Sequence, residues 1–120
     1  MAPCRQVSAD GITVTTWTER ADLAANFLTE TDVDIANLKT KHEKDKREAK
    51  RIWSAIYLRV TGTVDERKAQ AETHETYQTA VAAEMTSLLE FEKLRNRRDT
   101  ANLVVEFWRS WNKAKTDGVI

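Results

Sequence analysis

The stretch VTGTVDER, residues Val60 to Arg67, decides the fold of this chain. Gly62 suits the left-handed backbone position that follows a helix C-terminus. Thr63 and Glu66 form a capping box, in which a hydroxyl and a carboxylate satisfy the free backbone donors at a helix start. One helix therefore ends and another begins within about three residues, and so short a connection makes the two helices antiparallel neighbours.

Two long helices extend from this turn. A second capping box, Thr16 with Glu19, predicts that the first helix covers about 17–60. The second helix is predicted over about 63–116, because neither Gly nor Pro interrupts it. The predicted fold class is all-α: a long antiparallel helical hairpin with coiled-coil-like packing, forming a single domain over 17–116.

Two segments depart from this simple hairpin. Residues 1–16 are predicted to be irregular, because the alternating piece GITVTTW would form a lone strand without a partner. In the first helix the stretch TETD, residues 29–32, offers a second N-cap. The first helix is either broken or continuous there, and the sequence leaves both open.

Composition bounds the class of protein. Of the 120 residues 41% are hydrophobic and 32% are charged, a composition too apolar for a disordered chain. The length is that of one domain. The only cysteine, Cys4, excludes a disulfide framework and a cysteine-rich metal site. There is no leader pattern and no apolar run of about 18 residues. We therefore expect no membrane partner and a cytoplasmic location.

The charges cancel overall but are grouped in blocks of like sign along the chain. Basic against acidic residues number two to six over 1–38 and ten to five over 39–68. They then number none to five over 69–92 and seven to three over 93–120. Alternating blocks of this kind would set the register of an antiparallel hairpin.

The strongest basic block is the basic segment, Lys39 to Arg51, with seven Lys and Arg against three acidic residues. The fold places position 62 − k roughly opposite 62 + k, so Glu75 and Glu84 would face this segment and neutralise it. Alternatively its outward side stays positive and binds nucleic-acid phosphates through counterion release. Both interpretations stay open.

The C-terminal stretch EFWRSWNKAK, residues 106–115, carries aromatic side chains on one contiguous helix surface. These are Phe107, Trp108 and Trp111. Cations interleaved with them would allow stacking of unpaired bases. We favour a protein contact instead, either on the first helix around Trp17 and Leu23 or on a second subunit. The aromatic end is broader than one hairpin can cover, which predicts a homo-oligomer.

No enzyme signature occurs in the sequence. His42 and His74 lack the spacing of a metal site, and neither a Gly-rich phosphate loop nor a nucleophile with its base is present. We expect no catalytic residues, no metal and no cofactor.

Residues 45–115 resemble a group of small helical proteins of tailed phages. The resemblance rests on TGTVDERKAQAE, then Tyr77, then LLEFEKLRNRRDTANLVVEFWRSW. In size and helical make-up such proteins are similar to phage recombination mediators of the UvsY kind, oligomeric helpers that load a recombinase onto single-stranded DNA.

The resemblance implies a non-enzymatic accessory protein of phage recombination in the host cytoplasm. Its partners would be single-stranded DNA, a recombinase or single-strand-annealing protein, and further copies of itself. The implied DNA contacts are Lys41, Lys44, Lys46, Arg47, Lys50 and Arg51, followed by Arg95, Arg97, Arg98 and Arg109. The alternative is a coiled-coil structural, adaptor or inhibitor protein whose charges bind only protein.

Overall fold

The computed structural model describes residues 6–7, 13–14 and 16–118. In these residues two short strands, β1 (Gln6–Val7) and β2 (Thr13–Val14), precede four helices. The helices are α1 (Trp17–Glu30), α2 (Asp32–Arg59), α3 (Val64–Thr73) and α4 (Glu75–Thr116). The predicted all-α class is confirmed.

The two strands pair antiparallel, with Gln6 opposite Val14 and Val7 opposite Thr13. The prediction that residues 1–16 are irregular is therefore wrong at these positions. It treated GITVTTW as a strand without a partner, whereas the short piece upstream of it supplies one. A ladder of two residues a strand adds little stability of its own.

The chain forms two compact units. Unit 1 comprises Met1–Asp32 with Asn96–Ile120, and unit 2 comprises Val33–Arg95. In unit 1 the C-terminal part of α4 runs antiparallel to α1, so that Trp108 contacts Thr18 while Arg98 contacts Leu28. In unit 2 α2 runs antiparallel to α3 and the first part of α4. The predicted antiparallel pairing is confirmed within each unit.

The turn between α2 and α3 follows the prediction in detail. Gly62 has a φ of +125°, which L side chains rarely adopt. The Thr63 hydroxyl accepts from the Glu66 amide at 3.2 Å, and the Glu66 carboxylate accepts from the Thr63 amide at 3.4 Å. The side-chain amide of Gln70 donates to the Thr61 carbonyl at 3.1 Å, which ties α3 back to the turn.

The core of unit 2 is built from small side chains around one large one. Ile56 is 2% exposed, and Ala49, Ala71 and Ser87 are also buried. Small residues let the helices approach closely, and burying an isoleucine stabilises the fold by about 1.5–3 kcal/mol. The Ser87 hydroxyl donates to the Glu84 carbonyl of its own helix at 3.0 Å, so its burial leaves no unsatisfied donor.

The second helix, predicted to be continuous over about 63–116, is interrupted at His74. His74 has extended backbone angles, φ −66° and ψ 135°, between α3 and α4. Its Nδ1 accepts from the Thr76 amide at 3.1 Å, so the imidazole caps the start of α4. The Gln78 side chain donates to the Glu72 carbonyl at 2.5 Å across the interruption. The absence of Gly and Pro was therefore not sufficient for a continuous helix.

The first helix is broken at Thr31, inside the TETD stretch. Thr31 has φ −101° and ψ 4°, and both its amide and its hydroxyl donate to the Phe27 carbonyl. At the other end of α1 the Thr16 hydroxyl accepts from the Glu19 amide at 3.1 Å, as the capping box predicts. Among the residues of unit 1 between 16 and 118, the buried hydrophobic side chains are Ala21, Ala24 and Ala101.

Candidate nucleic-acid interface

The basic segment lies wholly within α2, and all six of its predicted contacts are exposed. At 100° per residue, Lys44, Arg47 and Arg51 lie about 140–160° around the helix from the buried Ala49. Lys46 and Lys50 lie on one flank of the helix, about 60–100° from Ala49, and Lys41 lies on the other. The outward face of α2 and both of its flanks therefore carry cations.

Within residues 16–118 no Lys or Arg of the basic segment has a carboxylate of the facing helix within 4.0 Å. The expectation that Glu75 and Glu84 neutralise these cations is therefore wrong for direct ion pairs. Glu84 is half-buried and Glu75 is exposed, and the cationic side chains of the segment are themselves exposed to solvent. Glu84 instead meets a histidine, with His42 Nε2 3.9 Å from its Oε2.

Arg51 is the one member of the basic segment with a close ion pair in the described part of the chain. Its Nη2 lies 2.5 Å from Glu48 Oε1, and its Nε donates to Glu48 Oε2 at 3.0 Å. This hydrogen bond lowers the pKa of Glu48 below the usual value of 4.5, and Glu48 raises the pKa of Arg51. Both groups are therefore charged at neutral pH, and Arg51 is less available to a phosphate.

His42 lies in the seam of unit 2, the packed contact between α2 and α4, where apolar residues are usual. Its side chain is 18% exposed, and its Nε2 is buried without a hydrogen-bond partner in the described residues. The nearest carboxylate, Glu84, is beyond hydrogen-bond distance. No cluster of three or more His, Cys, Asp or Glu residues suited to a metal occurs within residues 16–118.

The arginines of α4 have local partners, in contrast to the basic segment. Arg95 pairs with Glu92, and Arg109 Nη1 lies 3.0 Å from Glu106 Oε1. The Arg97 guanidinium lies over the Phe27 ring, 4.9 Å from its centroid. Of the four α4 arginines predicted as DNA contacts, three therefore already have a neighbouring glutamate or an aromatic ring as a partner.

Arg98, the fourth, is half-buried and holds the break between α1 and α2. Its Nη1 donates to the Leu28 carbonyl and to the Thr31 hydroxyl, each at 2.7 Å. Its Nη2 reaches Asp32 Oδ1 at 3.4 Å. These bonds satisfy a carbonyl that the end of α1 would otherwise leave free, which gives Arg98 a structural role. Its role as a DNA contact stays a prediction.

The facing rule of the hairpin was the signal that could have found this role. It places residue 98 opposite residue 26, beside the TETD stretch.

The aromatic residues of the C-terminal stretch pack largely on α1. The rings of Phe107 and Trp17 are 4.5 Å apart between centroids, and Trp108 Nε1 donates to the Thr18 hydroxyl at 3.2 Å. Trp111 is half-buried, with Lys115 Nζ 5.1 Å from its ring centroid. Phe107 remains 51% exposed. EFWRSWNKAK thus makes mainly contacts with α1 inside unit 1.

A different aromatic cluster flanks the turn of unit 2. The rings of Trp53 and Tyr57 are stacked, with centroids 5.2 Å apart and an interplanar angle of 11°. Trp53 and Tyr77 are half-buried and line a groove of about 270 Å³ together with Lys50 and Ser54. The most deeply buried large side chain of unit 2 is Ile56, and not one of these rings. Trp53 lies at the edge of the contact between α2 and α4, and not at its centre.

No protein-family model, curated protein or solved structure matches this chain. Across the described residues, none of the helices combines the length and the apolar content needed to cross a membrane.

Proposed function

We propose that this protein is a non-enzymatic accessory factor that binds single-stranded DNA through the basic segment of α2. One observation carries the proposal. Five predicted contacts are exposed and, within residues 16–118, have no carboxylate within 4.0 Å. They are Lys41, Lys44, Lys46, Arg47 and Lys50. Cations that form no internal pair are available to neutralise phosphates and release their counterions.

The magnitude of this binding follows from counterion release. If the five cations each neutralise one phosphate of a single strand, the slope of log affinity against log salt is about −3.5. Affinity then falls by about 100-fold between roughly 50 and 200 mM salt. Binding by one subunit is weak at physiological salt under this arithmetic, and several linked subunits would bind far more tightly.

The wider role, loading a recombinase or single-strand-annealing protein onto DNA in a phage-infected cell, rests on the resemblance of residues 45–115. A homo-oligomer fits this role because it multiplies weak DNA contacts. Its support is the exposure of apolar pairs four residues apart on α4, Met85 with Leu89 and Leu103 with Phe107. Exposed apolar pairs at this spacing are typical of a helix that packs on another subunit.

Fluorescence anisotropy of a labelled single-stranded oligonucleotide, beside its duplex, tests DNA binding at roughly 50 and 200 mM salt. The test variant is Lys44→Gln with Arg47→Gln and Lys50→Gln. The matched control is Arg59→Gln with Lys68→Gln and Lys93→Gln, which removes the same charge from exposed positions outside the segment.

We expect the test variant to flatten the salt slope by about 2 and the control to leave it nearly unchanged. Circular dichroism checks that both variants remain helical. Equal losses from the two variants would mean that only overall charge matters. No binding of the native protein at the lower salt would refute the proposal.

The second candidate is a coiled-coil structural, adaptor or inhibitor protein, and the exposed apolar pairs of α4 favour it. In that case Met85→Gln with Leu89→Gln would dissociate an oligomer in light-scattering measurements, while the triple substitution in the basic segment would leave both assembly and helicity unchanged. DNA binding would be absent throughout.

A further inference from the structure

Unit 2 has a groove on each flank of α2, and the two differ in chemistry. The aromatic groove, of about 270 Å³, is lined by Lys50, Trp53, Ser54 and Tyr77. The opposite groove, of about 440 Å³, is lined by Glu48, Ile52, Glu75, Thr76, Thr79, Ala80 and Ala83. The first offers two rings and an ammonium group without a carboxylate. The second offers two carboxylates without a ring.

We propose that the aromatic groove receives an unpaired base of single-stranded nucleic acid, stacked on Trp53, while Lys50 contacts an adjacent phosphate. The inference rests on the proposed function and names where the base is bound. A base has a flat apolar face and hangs from an anionic backbone, so it complements a ring beside an ammonium group. The carboxylates of the opposite groove would repel the same ligand.

The stacking surface is held in place before any ligand arrives. Trp53 stacks on Tyr57, and the guanidinium of Arg67 lies 4.1 Å from the centroid of the Tyr57 ring. Arg67 also donates two hydrogen bonds to the Tyr57 carbonyl, at 2.8 and 3.1 Å, which join α3 to α2. A fixed ring loses little side-chain entropy on binding, so stacking on it costs less than on a mobile one.

The aromatic groove is continuous with the cations that carry the proposed function. Lys46 and Lys50 share its flank of α2 and lie one turn apart, about 6 Å along the helix axis. A strand that follows this flank would place phosphates at the lysines and a base at Trp53. Bases inside a duplex are stacked on each other and cannot enter, so the groove predicts a preference for single strands.

The test compares an oligothymidylate with an abasic oligonucleotide of equal length and charge. Trp53→Leu removes the ring, Trp53→Phe retains one, and Ile52→Val alters the opposite groove. Anisotropy titrations at low salt give the affinity of each protein for each ligand, and circular dichroism confirms that each variant is folded.

We expect the native protein to bind the oligothymidylate more tightly than the abasic strand, and Trp53→Leu to reduce oligothymidylate affinity by about 5- to 100-fold. Trp53→Phe should recover most of the loss, Ile52→Val should have no effect, and no variant should alter binding to the abasic strand. If loss of the Trp53 ring lowers the affinity only for the strand that carries bases, the ring and the base interact directly, as stacking requires.

Native protein that binds both strands equally, or a Trp53→Leu variant as tight as native, would overturn the groove assignment and leave the cationic proposal standing. Absence of binding to either strand would overturn both. If Trp53→Leu does not fold, the native protein's comparison of the two ligands and the Trp53→Phe variant still decide the matter.

Discussion

Arg98 and Arg97 are adjacent arginines with opposite expected consequences when each is replaced by glutamine. Arg98 makes two hydrogen bonds of 2.7 Å at the break between α1 and α2, and its side chain is 18% exposed. Hydrogen bonds to a charged group contribute about 1.5–3 kcal/mol each when well sequestered. Partial exposure and the long contact to Asp32 argue for the lower end, so Arg98→Gln should reduce the free energy of unfolding by about 2–3 kcal/mol.

Arg97→Gln removes the same charge but only a contact with the Phe27 ring, which is worth about 0.5–1 kcal/mol at an exposed site. For a chain of this size the Arg98 loss corresponds to a fall in melting temperature of about 6–15 °C, against less than about 5 °C for Arg97. Thermal and urea unfolding followed by far-ultraviolet circular dichroism measure both. Amide hydrogen exchange should rise in the last turn of α1 for Arg98→Gln alone.

DNA binding measured well below both melting temperatures separates the structural role of Arg98 from the predicted contact. The two variants should then have the same salt slope, because neither charge belongs to the basic segment. If Arg98→Gln is as stable as Arg97→Gln, the capping role derived from the geometry is refuted. A selective loss of DNA affinity in Arg98→Gln would support the prediction that Arg98 is a DNA contact.

Three further predictions concern the turn, the interruption and the basic segment. Gly62→Ala should destabilise unit 2 by about 1–2 kcal/mol in urea unfolding, because an L side chain at positive φ is strained and its Cβ would meet Glu66 at 3.2 Å. His74→Ala should cost about 0.5–1 kcal/mol by removing the cap of α4, while His74→Asn should retain most of it. Glu48→Gln should free Arg51, steepening the salt slope of DNA binding by about 0.7. An unchanged slope would mean that Arg51 does not reach a phosphate.

Those parts of the fold that depend on neighbouring residues in the chain were predictable. The turn at Gly62 and the caps at Thr16 and Thr63 are local arrangements in which one side chain satisfies a backbone group within about three residues. The turn and the caps, together with the rule that position 62 − k lies opposite 62 + k, were enough to pair α2 with α3 and α4. The rule places residue 42 opposite residue 82, and His42 lies beside Glu84.

Features that depend on long-range packing were not predictable in this way. His74 ends one helix and caps the next although it is neither a usual cap nor a helix breaker, so propensity gives no signal for it. The aromatic groove arises because Trp53 lies at the margin of the seam and not at its centre. A small difference in angular position around the helix decides whether a ring lies in the core or at the surface. Periodicity alone does not resolve this difference.

The candidate site was found from the sequence by its surplus of charge, but the sequence could not show which cations are free. Arg51, Arg95 and Arg109 each have a glutamate three residues earlier, which predicts a pair on the same helix face. Lys44, Lys46, Lys50 and Arg47 have acidic neighbours in the same segment, yet within 16–118 they form no pair within 4.0 Å. The i, i+3 spacing from Glu to Arg was the usable signal, because the rigid planar guanidinium matches the geometry of a carboxylate, whereas the lysine ammonium is a point charge on a flexible stem.

A net charge of zero does not weigh against polyanion binding by a chain with blocked charges. Exposed charges interact over about 10 Å at 0.1 M salt, so a bound strand senses the segment it touches and not the sum over the whole chain. Lys41 to Lys50 spans about 14 Å of helix, comparable with that screening length. The acidic block of 69–92 has Glu84 drawn into the seam beside His42, at 23% exposure, which reduces its share of the outward field. If the proposed function holds, we therefore expect the local surplus of the basic segment to set the DNA affinity at moderate salt. At low salt, where the screening length grows, the acidic blocks should begin to oppose binding, so the salt slope should bend towards zero at the dilute end.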